Sequence, residues 1–261
     1  MDELELELER LRSPDVRARI QAGWTTVLFA CGAVEQHGPH LPLFTDAEIG
    51  THLALGVARR LGLTLVAPTI RVGCSDHHMA YAGTLSLRRE TFEAVARDYV
   101  ASLARHGFDR ILILPTHGGN FGPLKAMEDR LSQAALPATV AAYTDLMGLV
   151  ELWRREAEAE LGLGSRIGGH ADIGETSVMV SLHPDLVRSD LAEIGFQGAL
   201  TEDVVARLMR DGIGSLASNG IIGDARGATP VLGRRLLEAL ADEVAGVFRE
   251  RALVPRSGAG S

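Results

Sequence analysis

Four short stretches concentrate the side chains able to hold a metal or move a proton. The first is Glu35-Gln36-His37-Gly38-Pro39-His40-Leu41-Pro42-Leu43-Phe44-Thr45-Asp46. Glu35 and His37 are two apart, so an extended backbone projects both to one side. With Asp46 they make a nitrogen and oxygen donor set suited to Zn²⁺, Mn²⁺ or Fe²⁺ rather than a thiolate site. The plainer reading is a polar loop whose Asp46 caps the following helix. The second stretch is Pro115-Thr116-His117-Gly118-Gly119-Asn120. Two glycines after a histidine let a ligand approach the backbone closely. An anion loop at a helix N-terminus would use the same pattern. Neither G-x-G-x-x-G nor a Walker lysine is present, and spacing alone leaves both readings open.

The third stretch, Gly168-Gly169-His170-Ala171-Asp172-Ile173-Gly174-Glu175-Thr176-Ser177, sets one histidine and two acids between glycines. Glu175 in a first helical turn would also complement the helix dipole. The fourth is Gly73-Cys74-Ser75-Asp76-His77-His78, followed by Gly83-Thr84. The chain has only 9 histidines, so their gathering beside acids favours one metal site over separate accidents.

The elements that must position these groups alternate. Thr25–Ala30, Leu63–Ala67, Arg110–Leu114 and Ala138–Tyr143 read as short buried strands. Asp46–Leu61, Glu90–His106, Met147–Glu160 and the segment following Asn120 read as helices, with Asn120 as a cap. Gly62 and Gly107 suit helix ends. Thr229-Pro230 starts a last amphipathic helix to about Arg249. Glu175–Leu182 fits a buried helix or a strand equally. Leu4, Leu8 and Leu11 suggest a short helix, with a strand over Glu3–Glu9 as the alternative. Strand–helix alternation predicts an α/β fold, three-layer α/β/α with a largely parallel central sheet. The first two histidine stretches then follow strands directly, where open parallel sheets bind ligands.

The 261 residues suffice for a large self-sufficient core. Net charge is −8, which argues against nucleic-acid binding. There is no 18-residue apolar run for a membrane span. Met1-Asp2-Glu3-Leu4 lacks the basic start of a signal peptide. Two cysteines, Cys31 and Cys74, make no disulfide framework, so a cytoplasmic setting is expected. One domain over 1–252 is expected. The tail 253–261 looks unstructured, is similar to a protease-cleavage linker, and is left out of functional reasoning.

Taken together, Glu35-x-His37-Gly38-x-His40-Leu41-Pro42, Asp46, Gly73-x-Ser75-x-x-His78, Gly83-Thr84, His117-Gly118-Gly119-Asn120 and Glu175-Thr176-Ser177 resemble the creatininase (creatinine amidohydrolase) family. The match runs in order from about Thr26 to Leu186. The resemblance implies one α/β/α domain, two divalent metal ions (Zn, Mn or Fe), and hydrolysis of C–N bonds in cyclic or linear amides. It also implies a homo-oligomer, with a hexamer favoured. Carried over by position, Glu35, Asp46 and His117 bind one ion. His37 and Asp46 bind the other, with Asp46 bridging.

Creatinine-hydrolysing members complete the second set with a glutamate where this chain has Gly119. Glu175 is the expected replacement, with Asp172 next. Those members also hold substrate with tryptophans near the His170 segment, where this chain offers only Trp153. Ala30-Cys31-Gly32-Ala33 also departs from the family's usual Pro-x-Gly-Ser. Creatinine is therefore not the expected substrate. A lactam or formamide is, and other branches trim a modified peptide. The resemblance makes His170 the proton shuttle, placed on a loop expected to be mobile. His40 is expected to orient a ligand. Ser75, His78, Gly118, Gly119 and Asn120 are expected to face substrate. His52, His106 and His183 receive no role. A metal-dependent amidohydrolase is the leading reading. A metal-binding homologue serving assembly or regulation and a nucleotide-binding α/β protein are the alternatives.

Overall fold

The computed structural model describes residues 4–253. At the centre lie four parallel strands, β1 (Thr26–Cys31), β2 (Thr64–Val66), β3 (Arg110–Pro115) and β4 (Thr139–Ala142), in the order β2-β1-β3-β4. β1 is buried at all six positions, as expected for a continuous apolar run covered on both faces. Its side chains alternate between two cores. Leu28 and Ala30 join Leu112 and Leu114 of β3 on one face. Val27, Phe29 and Cys31 join Ile111 and Ile113 on the other.

The first face packs against α2 (Thr45–Leu61), α5 (Leu146–Leu161), α6 (Ile173–Leu182) and α8 (Pro230–Phe248). The second packs against α3 (Arg89–Arg105) and α4 (Gly118–Ala134), with α1 (Ser13–Gln21) at its margin. The result is the expected three-layer α/β/α architecture. A separate antiparallel pair, β5 (Ile167–His170) and β6 (Ile222–Gly223), lies outside the main sheet. Helix α7 (Glu202–Asp211) has no buried residue.

Several local expectations change. The N-terminal leucines form neither a full helix nor a strand. Glu7 bridges Val66 of β2, and Leu8–Arg10 makes one 3-10 turn. Asp46 lies inside the first turn of α2, not at its cap. Asn120 likewise lies inside α4, which starts at Gly118. The segment open to either reading is helix α6, because Asp172 caps it by accepting from the Gly174 and Glu175 N–H groups. The tail from Val254 onward lies outside the described residues.

Candidate metal centre

The order of the four parallel strands reverses direction between β1 and β3. This is the point where an open α/β sheet leaves a crevice beyond its strand ends. The loop after β1 brings Glu35 and His37 there, α2 returns Asp46 to the same spot, and the end of β3 delivers His117. All four are buried, with Glu35 and His37 at 0 % exposure. From the other unit, β5 ends on His170, and Ala171 turns the chain into α6 with a positive φ of 52°. That turn returns the Glu175 carboxylate to accept from the Ala171 N–H.

Two groups of donor atoms share Asp46, and a third brings together Glu35, His37 and His170. His117 Nδ1 lies 3.2 Å from Glu35 Oε1 and 3.3 Å from Asp46 Oδ2. His37 Nε2 lies 3.2 Å from Asp46 Oδ1 and 3.7 Å from Glu175 Oε2. Asp46 therefore turns one oxygen to each set. Tetrahedral bonds of about 2.0–2.1 Å place neighbouring donors roughly 3.3–3.4 Å apart, so these separations suit donors arranged around a common ion.

Two further observations test whether a metal fits. Both Glu35 oxygens and Asp46 Oδ2 are buried without a hydrogen-bond partner, a costly arrangement unless something else neutralises them. The far nitrogens of both histidines are tied to backbone carbonyls. His117 Nε2 donates to Cys74 O at 3.0 Å, and His37 Nδ1 donates to Glu35 O at 3.1 Å. That is how ligating histidines are oriented, with a lone pair left for the ion. The residues fit a pair of divalent ions.

Without ions the charges compensate one another. Burial works to lower His37, but Asp46 and Glu175 push it up to about 10. Burial likewise opposes His117, yet Glu35 and Asp46 hold it well above the usual histidine range. Burial pushes Glu175 up to about 8 against the pull of His37. For Asp46 burial is outweighed by His37 and His117, which hold it below the usual carboxylate range. Metal ions would replace those protons.

The other expected residues scatter around this centre. Asp172 is committed as a cap: Oδ2 accepts from Gly168 and Gly169, and Oδ1 from Gly174 and Glu175. It is not available as the alternative ligand. His170 ends a strand and is buried, which corrects the expected mobile loop. Burial and the neighbouring His37 hold it well below its usual range, hence neutral. Its Nδ1 lies 3.8 Å from Glu35 Oε1.

Asn120 is fully buried, and its amide binds Cys74 N, Cys31 O and Gly32 O. It pins two loops together and does not face a cleft. Ser75 Oγ sits 3.3 Å from His117 Nε2 and supports that ring. Gly119 is packed so that a Cβ would meet Cys74 O at 2.2 Å; no side chain could occupy it without a backbone shift. Gly118 is exposed and lines a cavity of about 50 Å³ with Asp46, His117, His170, Glu175 and apolar Leu146 and Val150. His40 bonds Thr176 Oγ1 at 2.8 Å and so braces α6 beside Glu175, not a ligand directly.

Two participants escaped sequence reasoning. His77 stacks on His117 with ring centroids 5.5 Å apart. Gln36 bonds to both His78 and His170. The position of Gln36 between two metal-ligand types was a signal, but its partners lie far away in sequence.

Comparison with known proteins agrees with this architecture. The creatinine amidohydrolase family model matches residues 9–248. The mycofactocin precursor peptide peptidase of Mycobacterium ulcerans is 32% identical over 234 residues, covering 87% of this chain and 85% of that protein. The creatinine amidohydrolase of Pseudomonas putida is 30% identical over 190 residues, covering 67% and 71%. A crystal structure of creatinine amidohydrolase superposes with a TM-score of 0.76 at 25% identity, covering 97% of this chain and 100% of that one. A manganese form of creatininase gives 0.73, also at 25%, with the same coverage. A fold, a donor set and a match over nearly the whole described length agree, and the chain belongs to the creatininase family of hydrolases.

Proposed function

We propose that this chain hydrolyses an amide C–N bond at a two-metal centre, and that the amide belongs to a short peptide. The observation carrying the reaction is the division of Asp46 between two donor sets, Glu35–Asp46–His117 and His37–Asp46–Glu175. When bound there, a pair of Zn, Mn or Fe ions would polarise water and the amide carbonyl. The chain's own contribution is to hold those donors rigidly, to exclude bulk water by burial, and to exchange a proton at His170. That last role suits a buried neutral imidazole whose Nδ1 faces the cluster.

Two features support a peptide over creatinine. Gly119 has no room for the carboxylate that creatinine-hydrolysing members are expected to carry. The mycofactocin peptidase relative also matches over more of the chain than the Pseudomonas putida enzyme does. The small cavity favours a second reading, a lactam or formamide substrate. Both donor sets are complete, so a purely structural role is not favoured.

A homo-oligomer, with a hexamer favoured, is part of the proposal. It is supported by exposed Leu191, Ile194, Val205 and Met209 on and before α7. A cytoplasmic setting is proposed as well. No helix among the described residues is long and apolar enough to cross a membrane. The test is chelator-sensitive hydrolysis by zinc- or manganese-loaded protein of short peptides, creatinine, a lactam and a formamide. Cleavage of peptides alone is expected. Turnover of the lactam or formamide with peptides untouched would overturn the peptide assignment.

A further inference from the structure

We infer that Asn120 is a positioning residue for His117: it fastens the Cys74 backbone, and the Cys74 backbone holds the histidine ring of the Glu35–Asp46–His117 set. Asn120 is fully buried in the first turn of α4, three residues after His117. The orientation of its amide is settled by partners that have only one role each. The Cys74 N–H can only donate, and it lies 3.0 Å from Oδ1. The carbonyls of Cys31 and Gly32 can only accept, and they lie 3.1 Å and 3.0 Å from Nδ2. Each amide hydrogen thus has an acceptor of its own.

Cys74 passes this constraint on. Its carbonyl lies 3.0 Å from His117 Nε2. A carbonyl oxygen can only accept, so the ring donates there whatever its opposite nitrogen holds. Ser75 Oγ, 3.3 Å from the same nitrogen, comes from the next residue. His77, two residues further, stacks on the ring face. Residues 74–77 therefore form a cradle along one edge and one face of His117. Asn120 ties the start of that cradle to the end of β1.

Gly73 belongs to the device. A Cβ there would meet Asn120 Oδ1 at 2.4 Å and Nδ2 at 2.7 Å, so the amide packs flush against the backbone it holds. Outer partners of this kind set the orientation of a ligating histidine and hence its hold on an ion. His117 belongs to only one of the two groups that share Asp46. The chain of bonds from Asn120 ends on His117, so its loss should weaken one ion and spare the other.

The test is zinc titration of full-length protein against a chromophoric chelator, in two backgrounds. Glu175→Gln leaves the Glu35–Asp46–His117 ion, and His117→Ala leaves the other. Asn120→Ala added to Glu175→Gln should raise the zinc dissociation constant about 10–100-fold, the usual cost of a lost outer partner. Added to His117→Ala, it should leave the constant unchanged. Gly73→Ala drives a methyl group against the Asn120 amide while keeping every donor, so it should repeat the pattern and serves where Asn120→Ala does not fold. Equal weakening in both backgrounds would show a merely structural role, and unchanged affinity in Glu175→Gln would show none; either overturns the inference. The role of Asn120 rests on the two-ion reading proposed above, yet the two fail separately. Wild type binding fewer than two zinc ions refutes that reading, while the Glu175→Gln comparison decides the role of Asn120.

Discussion

The candidate metal centre draws its donors from two structurally unlike regions. One is the carboxyl edge of the parallel sheet, where Glu35, His37, Asp46 and His117 leave strands or enter helices buried on both faces. Their positions follow from the packing of the whole core. The other is the β5–β6 pair outside that sheet, followed by α6 on the sheet's first face, which together bring Glu175 and His170. Here the packing of α6 into the same core is joined by local devices: the Asp172 cap, the positive φ of Ala171 and the hydrogen bond from Ala171 to Glu175. The sheet edge supplies one complete donor set and two-thirds of the other. The second region supplies Glu175, the last donor of the second set, and His170, the residue proposed to handle the proton.

The division can be broken experimentally at graded cost. His170→Ala removes the proposed proton-handling group but neither of the donor groups that share Asp46. Turnover is expected to fall by roughly 10²–10⁴-fold with both ions retained. The loss should be larger for substrates with a poor leaving nitrogen than for activated anilides. Equal deficits on both substrate types, or loss of an ion, would refute that role. Glu175→Gln tests the boundary itself. Metal analysis should show the ion at His37 weakened or lost while the Glu35–Asp46–His117 ion remains. Simultaneous loss of both would mean that the sheet edge does not stand alone. Asp172→Ala has the smallest effect. Removing the cap should cost about 1 kcal/mol in stability and weaken only the ion that Glu175 helps to hold. Denaturant unfolding and metal titration check the two parts.

The same contrast explains what the sequence disclosed. β1 and β3 are unbroken apolar runs ending in histidine- and acid-rich loops, so both the strands and the ligands beyond them were legible. Ile167-Gly168-Gly169-His170 carries no strand signal, and β5 exists because β6, over fifty residues onward, pairs with it. The loop expected around His170 was therefore a buried strand end. α1 was missed although Ser13-Pro14-Asp15 is a legible helix start, because its nine residues are mostly polar and bury none of their own. Asn120 was placed on the substrate side because its type suits a cap or a ligand contact. Its real partners, Cys31, Gly32 and Cys74, lie 46 to 89 residues away. Gln36 is the same case: side-chain type was readable, but tertiary partners were not.

The central claim is that one carboxylate joins the two regions by serving both ions. Metal content of purified Asp46→Ala beside the wild type tests it most directly, after identical loading with zinc. Wild type is expected to bind both ions, and Asp46→Ala neither, because Asp46 turns one oxygen toward His37 and the other toward His117. Retention of a full equivalent of zinc in the folded variant would show that one donor set is sufficient without Asp46, and would contradict the shared-carboxylate account.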